Sequence, residues 1–137
     1  MPTGPHLVDL PVISEAGRGA LGFVEAPEHL PFQPSRAFYL FDLPQGSRRG
    51  QHAHKADQQF LICLSGAFDV VAEFDGANQT LRLDSPAQGL YAPPMTWLDL
   101  TAIAPASILL VLTALPYDEG DYMRDYDAFR RAVSSAS

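Results

Sequence analysis

Phe68-Asp69-Val70-Val71-Ala72-Glu73-Phe74-Asp75-Gly76-Ala77-Asn78-Gln79-Thr80-Leu81-Arg82-Leu83 is the stretch that decides the fold. Val, Phe and Leu recur on both sides of Asp75-Gly76-Ala77-Asn78, which has the composition of a tight turn. The stretch therefore reads as strand Phe68–Phe74, a hairpin turn, and strand Thr80–Leu83. Working outward, the same texture repeats at Leu7–Ile13, Leu21–Glu25, Arg36–Leu43, Gln59–Leu64, Gly89–Ala92, Thr96–Leu100 and Ile108–Ala114. In Arg36–Leu43 both alternating sets, Phe38 with Leu40 and Tyr39 with Phe41, are apolar, as in a strand covered on both faces. Twelve prolines and ten glycines interrupt helical windows almost everywhere. The exception is the C-terminus. There Tyr122, Met123, Tyr126, Phe129, Arg130 and Val133 mark one helical face, with Asp121 as its expected cap. Arg130 and Arg131 fall in the last turns, where they suit the helix dipole. Regular short strands and one terminal helix predict an all-β domain over residues 1–137, a double-sheet jelly roll with a short C-terminal helix.

The chain has 137 residues, enough to bury roughly two-thirds of its unfolded surface in one core. Nine basic against sixteen acidic residues give a net charge of −7. That disfavours a general nucleic-acid surface, which needs a basic patch. It still allows an anionic small ligand held by a few arginines, and eight of the nine basic residues are Arg. The single cysteine, Cys63, excludes an internal disulfide, and its apolar setting predicts a buried, inert thiol. No apolar run reaches the ~20 residues of a membrane helix. Met1 to Leu10 lacks the apolar stretch of a signal peptide. A soluble cytoplasmic protein is expected.

The densest polar cluster is Gly46-Ser47-Arg48-Arg49-Gly50-Gln51-His52-Ala53-His54-Lys55. In a strand, His52 and His54 project from one face. A pair of core or surface histidines accounts for that spacing as well as a site does. Gly46, His52, His54, Gln59 and Gly66 follow the spacing of the first motif of the cupin superfamily, which this stretch resembles. Metal-binding cupins hold a divalent ion with the two histidines, a Glu, and a histidine from a second motif. Here Gln59 stands at the Glu position, and the second-motif region from Pro86 to Trp97 has no histidine. Two imidazoles and a neutral amide are a poor shell for a divalent cation, so no metal is expected. Neutral imidazoles remain, and they are suited to proton transfer.

The resemblance is closer still to the sugar-nucleotide 3,4-ketoisomerases, the WxcM-like or FdtA/QdtA-type cupins. Arg49-Gly50-Gln51-His52-Ala53-His54-Lys55 and Tyr117-Asp118-Glu119-Gly120-Asp121-Tyr122 carry it together. Gly89 to Trp97, Arg18-Gly19, Glu25, Leu30-Pro31-Phe32 and Arg36-Ala37-Phe38-Tyr39 extend it. It implies a metal-independent isomerase that moves the keto group of dTDP-4-keto-6-deoxy-glucose from C4 to C3 through an enediol, toward dideoxy-amino sugars. No cofactor is implied. A sugar-nucleotide 3,5-epimerase and a non-catalytic nucleotide-sugar-binding cupin are the competing readings.

By the same resemblance His52 is the base at C3, His54 its partner on the C4 side, and Tyr39 the donor that stabilises the enediolate. Arg18, Arg36, Arg49 and Arg124 are the candidates for the diphosphate, unranked. Gln59 is expected to contact sugar or histidine, or merely to close a strand. Tyr91 and Trp97 fit either the pocket wall or the sandwich core. Cupins of this type form homodimers, and Leu7–Ile13 is the stretch expected to join a partner's sheet.

Overall fold

The computed structural model describes residues 4–136. Two five-stranded antiparallel sheets face each other. The first runs β1 (His6–Asp9), β9 (Gln88–Ala92), β6 (Gln59–Ser65), β11 (Ser107–Thr113) and β4 (Arg36–Leu43), in that spatial order. The second runs β12 (Tyr122–Met123), β5 (Arg48–His54), β10 (Trp97–Ala102), β7 (Phe68–Phe74) and β8 (Ala77–Leu83). A separate hairpin joins β2 (Val12–Glu15) to β3 (Gly19–Gly22). The chain closes with helix α1 (Tyr126–Ala136). This is the all-β double-sheet architecture that the strand pattern predicts.

The hairpin expected over Phe68–Leu83 forms with Phe68 opposite Leu83 and Phe74 opposite Ala77. Its turn is only Asp75-Gly76, shorter than predicted. Both residues lie at positive φ, 52° and 81°, as a two-residue turn matching the strand twist demands. Leu7–Ile13 is not one strand. It breaks at Leu10-Pro11, leaving β1 in its own sheet against β9 and β2 in the hairpin.

Between the sheets, Leu61, Val70, Leu83, Leu90, Leu98, Leu109 and Val111 form one buried apolar core. The first sheet is also covered outside, where Leu10, Leu30 and Phe32 pack on Phe60, Ile62 and Tyr91. Burial on both faces explains the unbroken apolar run Phe60-Leu61-Ile62-Cys63. Outside the second sheet, α1 seats Phe129, wholly buried, with its ring 5.5 Å from that of Trp97. Burying a side chain of that size contributes about 2–3 kcal/mol. Asp121 does not cap this helix. Asp125 does, accepting from the Asp127 and Ala128 amides at 2.9 and 3.2 Å.

One face is left uncovered. Tyr39 and Phe41 on β4 are 63% and 57% exposed, and Ile13 and Leu21 on the hairpin 55% and 59%. Among the described residues the hairpin pairs with no other strand.

Candidate active site

The histidine pair is aimed by a bulge. Opposite β10, β5 slips register between Leu98 and Asp99, and Gly50 and Gln51 take positive φ of 84° and 60°. Gly50 must be glycine there. A Cβ would sit 2.8 Å from Leu100 Cδ1 and 2.9 Å from the Leu98 carbonyl oxygen. The bulge turns the Gly50 carbonyl onto His52, whose Nδ1 lies 3.1 Å away. A carbonyl only accepts, so Nδ1 carries the proton and Nε2 keeps its lone pair.

His52 borders a cavity of about 70 Å³ between the sheets. Leu61, Leu98 and Leu109 form its floor, and Arg49, His52 and Gln59 are its polar groups. At ~30 Å³ per water, this space takes only part of a sugar ring, so a nucleotide must lie outside it. Burial first, and the neighbouring His54 ring second, push His52 down to about 4, against a smaller upward pull from the Gly50 carbonyl. Neutral at physiological pH, with one open nitrogen, His52 is built to accept a proton.

His54 is placed differently. It is buried, outside the lining of that cavity, with its ring 5.1 Å from that of His52 and edge-on to it. Its Nδ1 lies 3.3 Å from Asp121 Oδ2, and its Nε2 lies 3.2 Å from the Gln59 amide nitrogen. Burial also lowers His54, opposed by the charges of Asp57 and Asp121.

Tyr122 sits against both imidazoles, with ring centroids 4.9 Å from His52 and 4.3 Å from His54. Cross-strand pairing of Tyr122 with His54 puts it there. Arg36 donates to its hydroxyl at 3.4 Å. Tyr39 is absent from this group. On β4 the alternation turns Phe38 and Leu40 into the cavity and Tyr39 outward, its ring 5.9 Å from that of Phe41. The inward position of that strand thus carries no hydroxyl.

The arginines separate by counterion. Arg124 is held by Glu119 through two bonds of 3.0 Å, and Arg18, out on the hairpin, by Glu15 at 3.1 Å. Arg36 and Arg49 have no carboxylate partner among the described residues. Tyr91 belongs to the outer core of the first sheet, its hydroxyl donating to Gln58 at 2.7 Å. Trp97 lies under α1 on the outer face of the second sheet. Neither aromatic lines the cavity. Cys63 is buried, and burial pushes its thiol up.

His54, Asp57 and Asp121 bring ligand atoms within 4.8 Å of one another. Three of the four carboxylate oxygens already accept backbone amides. Asp121 accepts from the Ala56 and Asp57 amides at 2.8 and 3.1 Å, and Asp57 from those of Gln58 and Leu115 at 2.8 and 2.9 Å. With Gln59 facing the remaining His54 nitrogen, this donor set does not fit a divalent cation.

A double-sheet jelly roll with an imidazole at an apolar cavity between its sheets has the architecture of the cupin class. The chain belongs to the FdtA family, described as WxcM-like, C-terminal, whose sequence model matches residues 3–134. It is 38% identical over 117 residues to the TDP-4-oxo-6-deoxy-alpha-D-glucose-3,4-oxoisomerase of Aneurinibacillus thermoaerophilus, covering 85% of this chain and 84% of that one. A mutant of the 3,4-ketoisomerase QdtA from Thermoanaerobacterium thermosaccharolyticum, solved with TDP-4-keto-6-deoxyglucose, superposes with a TM-score of 0.91 at 29% identity. That match covers 98% of this chain and 97% of that one. A 3,4-ketoisomerase from Helicobacter canadensis matches with a TM-score of 0.89 at 31% identity, over 95% and 97% of the two chains.

Asp121 and Tyr122 lie against the histidine pair, and sequence reasoning assigned neither to the site. Both stand in the segment that carries the resemblance, but the local pattern there reads as the start of a helix.

Proposed function

We propose that this enzyme converts TDP-4-keto-6-deoxyglucose to its 3-keto isomer by proton transfer through an enediol, without metal or redox cofactor. The carrying observation is His52, neutral, with Nδ1 tied to Gly50 and Nε2 open. The relative's 3,4-oxoisomerase activity and the sugar nucleotide in the QdtA mutant structure support the substrate. His52 Nε2 takes the C3 proton. The electrons of the C–H bond form the C3–C4 double bond, and the C4 ketone becomes an enolate oxygen. The O3 proton passes to O4. Return of the first proton to C4 then leaves the ketone at C3. A positioned base contributes about 10²- to 10⁴-fold.

The enolate needs a donor aimed at it. Tyr122, outside the cavity lining but with its ring 4.9 Å from that of His52, is the proposed donor in place of Tyr39; Arg36 donates to its oxygen and leaves the phenolic proton free. Arg49, at the cavity rim without a counterion, and Arg36 are the proposed diphosphate contacts. Arg18 and Arg124 would first have to give up their glutamates. The working form is a cytoplasmic homodimer, with the exposed β2–β3 hairpin and the outer face of β4 as the buried surface.

Proton NMR of the reaction in heavy water tests the reading. Expected is a 3-keto product, with any solvent deuterium at its C4 or at C3 of recovered substrate. Deuterium at C5 would mean an epimerase. Binding of TDP without turnover would mean a non-catalytic binding protein.

A further inference from the structure

The two histidines differ in what their second nitrogen can do, and the difference starts at Asp121. This residue ends the one-turn 3₁₀ helix Glu119–Asp121, in the segment that crosses β5 before β12. Its carboxylate is pinned by the Ala56 and Asp57 amides at 2.8 and 3.1 Å and is only 11% exposed. It is therefore a fixed acceptor 3.3 Å from His54 Nδ1. A carboxylate cannot donate to a ring nitrogen, so the neutral His54 ring carries its hydrogen on Nδ1. Its lone pair is left on Nε2, where the Gln59 amide nitrogen donates at 3.2 Å. Both nitrogens are consumed by the protein, and the ring has no edge left for a sugar. His52 has the same tautomer, set by the Gly50 carbonyl, but among the described residues no hydrogen-bond partner on Nε2.

The chemistry asks for one carrier. C3 and C4 are neighbours, and the proton removed from one is the proton the other needs. A single imidazole on one face of the ring can take it and give it back. From these observations, and resting on the isomerase reading above, we propose that Asp121 is a positioning residue. It locks His54 into the Nδ1–H tautomer against Gln59, so that His54 braces the site and His52 alone carries the proton. The brace is mechanical. His54 lies edge-on to His52 at 5.1 Å and 4.3 Å from the Tyr122 ring, wedging both in place. The charged groups that act on His54 are Asp57, Asp121 and Arg36.

The same contact gives Gln59 a role. The amide that stands where metal-binding cupins place a Glu covers the nitrogen that would otherwise reach an ion or a substrate. One side chain thus removes both a metal ligand and a second base.

The test combines a spectrum with kinetics. Nitrogen-15 NMR of the imidazoles of the wild-type protein at neutral pH should show His54 protonated on Nδ1 only. An Nε2–H tautomer or an imidazolium would overturn the assignment. Asp121→Ala should lower kcat roughly 10- to 100-fold, the order of loss that a small misplacement of reacting groups causes once the brace on His52 and Tyr122 loosens. KM should stay within about twofold, because Asp121 does not line the cavity where the sugar reacts. Wild-type kcat in a folded Asp121→Ala protein would refute the role. If that variant does not fold, the wild-type spectrum decides alone. An inert wild-type enzyme sinks the isomerase reading, whereas an active one with an indifferent Asp121→Ala variant sinks only the role of Asp121.

Discussion

Acid is the perturbation that separates a buried His52 from an ordinary imidazole. Its pKa in the folded chain is pushed down to about 4 from 6.5, with burial as the first cause. The base must be unprotonated to take hydrogen from carbon, and kcat/KM follows its state in the free enzyme. An imidazole titrating at ~6.5 is only about a tenth neutral at about pH 5.5, so kcat/KM would drop roughly tenfold from its value near pH 7.5. With a pKa of about 4, the ring is still ~97% neutral at about pH 5.5, and kcat/KM should be flat over that interval. Loss should appear only as the pH falls through about 4.

The fold feels the same proton with the same sign. The unfolded chain protonates His52 first, so stability is full above 6.5 and declines as the pH falls from there toward 4. Circular dichroism at each pH must therefore accompany the initial rates. A kcat/KM profile that titrates near 6.5 while the dichroism is unchanged would refute the buried-base argument.

Three further outcomes follow from the packing. Gly50→Ala should cost about 1–3 kcal/mol in chemical denaturation, because its φ is unsuited to a side chain. It should also lower kcat, since the clash at 2.8 Å with Leu100 moves the carbonyl that orients His52; a stable, fully active variant would contradict the bulge. Phe129→Ala should cost about 3–5 kcal/mol, measured in urea, with kcat unchanged at temperatures where the variant is folded. Leu21→Glu should convert a dimer to a monomer in light scattering after size exclusion; a wild-type monomer, or a dimer indifferent to the change, would remove the hairpin from the interface.

Much of this was legible because β-structure writes a period of two into the sequence. Arg36–Leu43 and Phe68–Phe74 have the bounds observed, and the spacing of His52 and His54 put them on one face. Parity was harder. In Arg36–Leu43 both alternating sets are apolar, so hydrophobicity did not say which set points inward, and Phe38 rather than Tyr39 holds the cavity position. Tyr91 and Trp97 face outward for a similar reason, since helix α1 and the residues around Leu30 bury the outer surfaces too. Asp121 was unreadable as a partner of His54, because 67 residues separate them. Next to an amphipathic run, an aspartate looks like a helix cap, and only the path of β12 back onto β5 reveals its use.

That path also sets a schedule for the ribosome. Every strand of the two sheets except β12 is synthesised by Thr113, whereas the residue that fixes His54 is the 121st, carried on a stretch that folds back over finished work. A nascent chain halted between these two points would own a nearly complete barrel and an untethered imidazole. Competence for the reaction therefore arrives late and abruptly, with the tail.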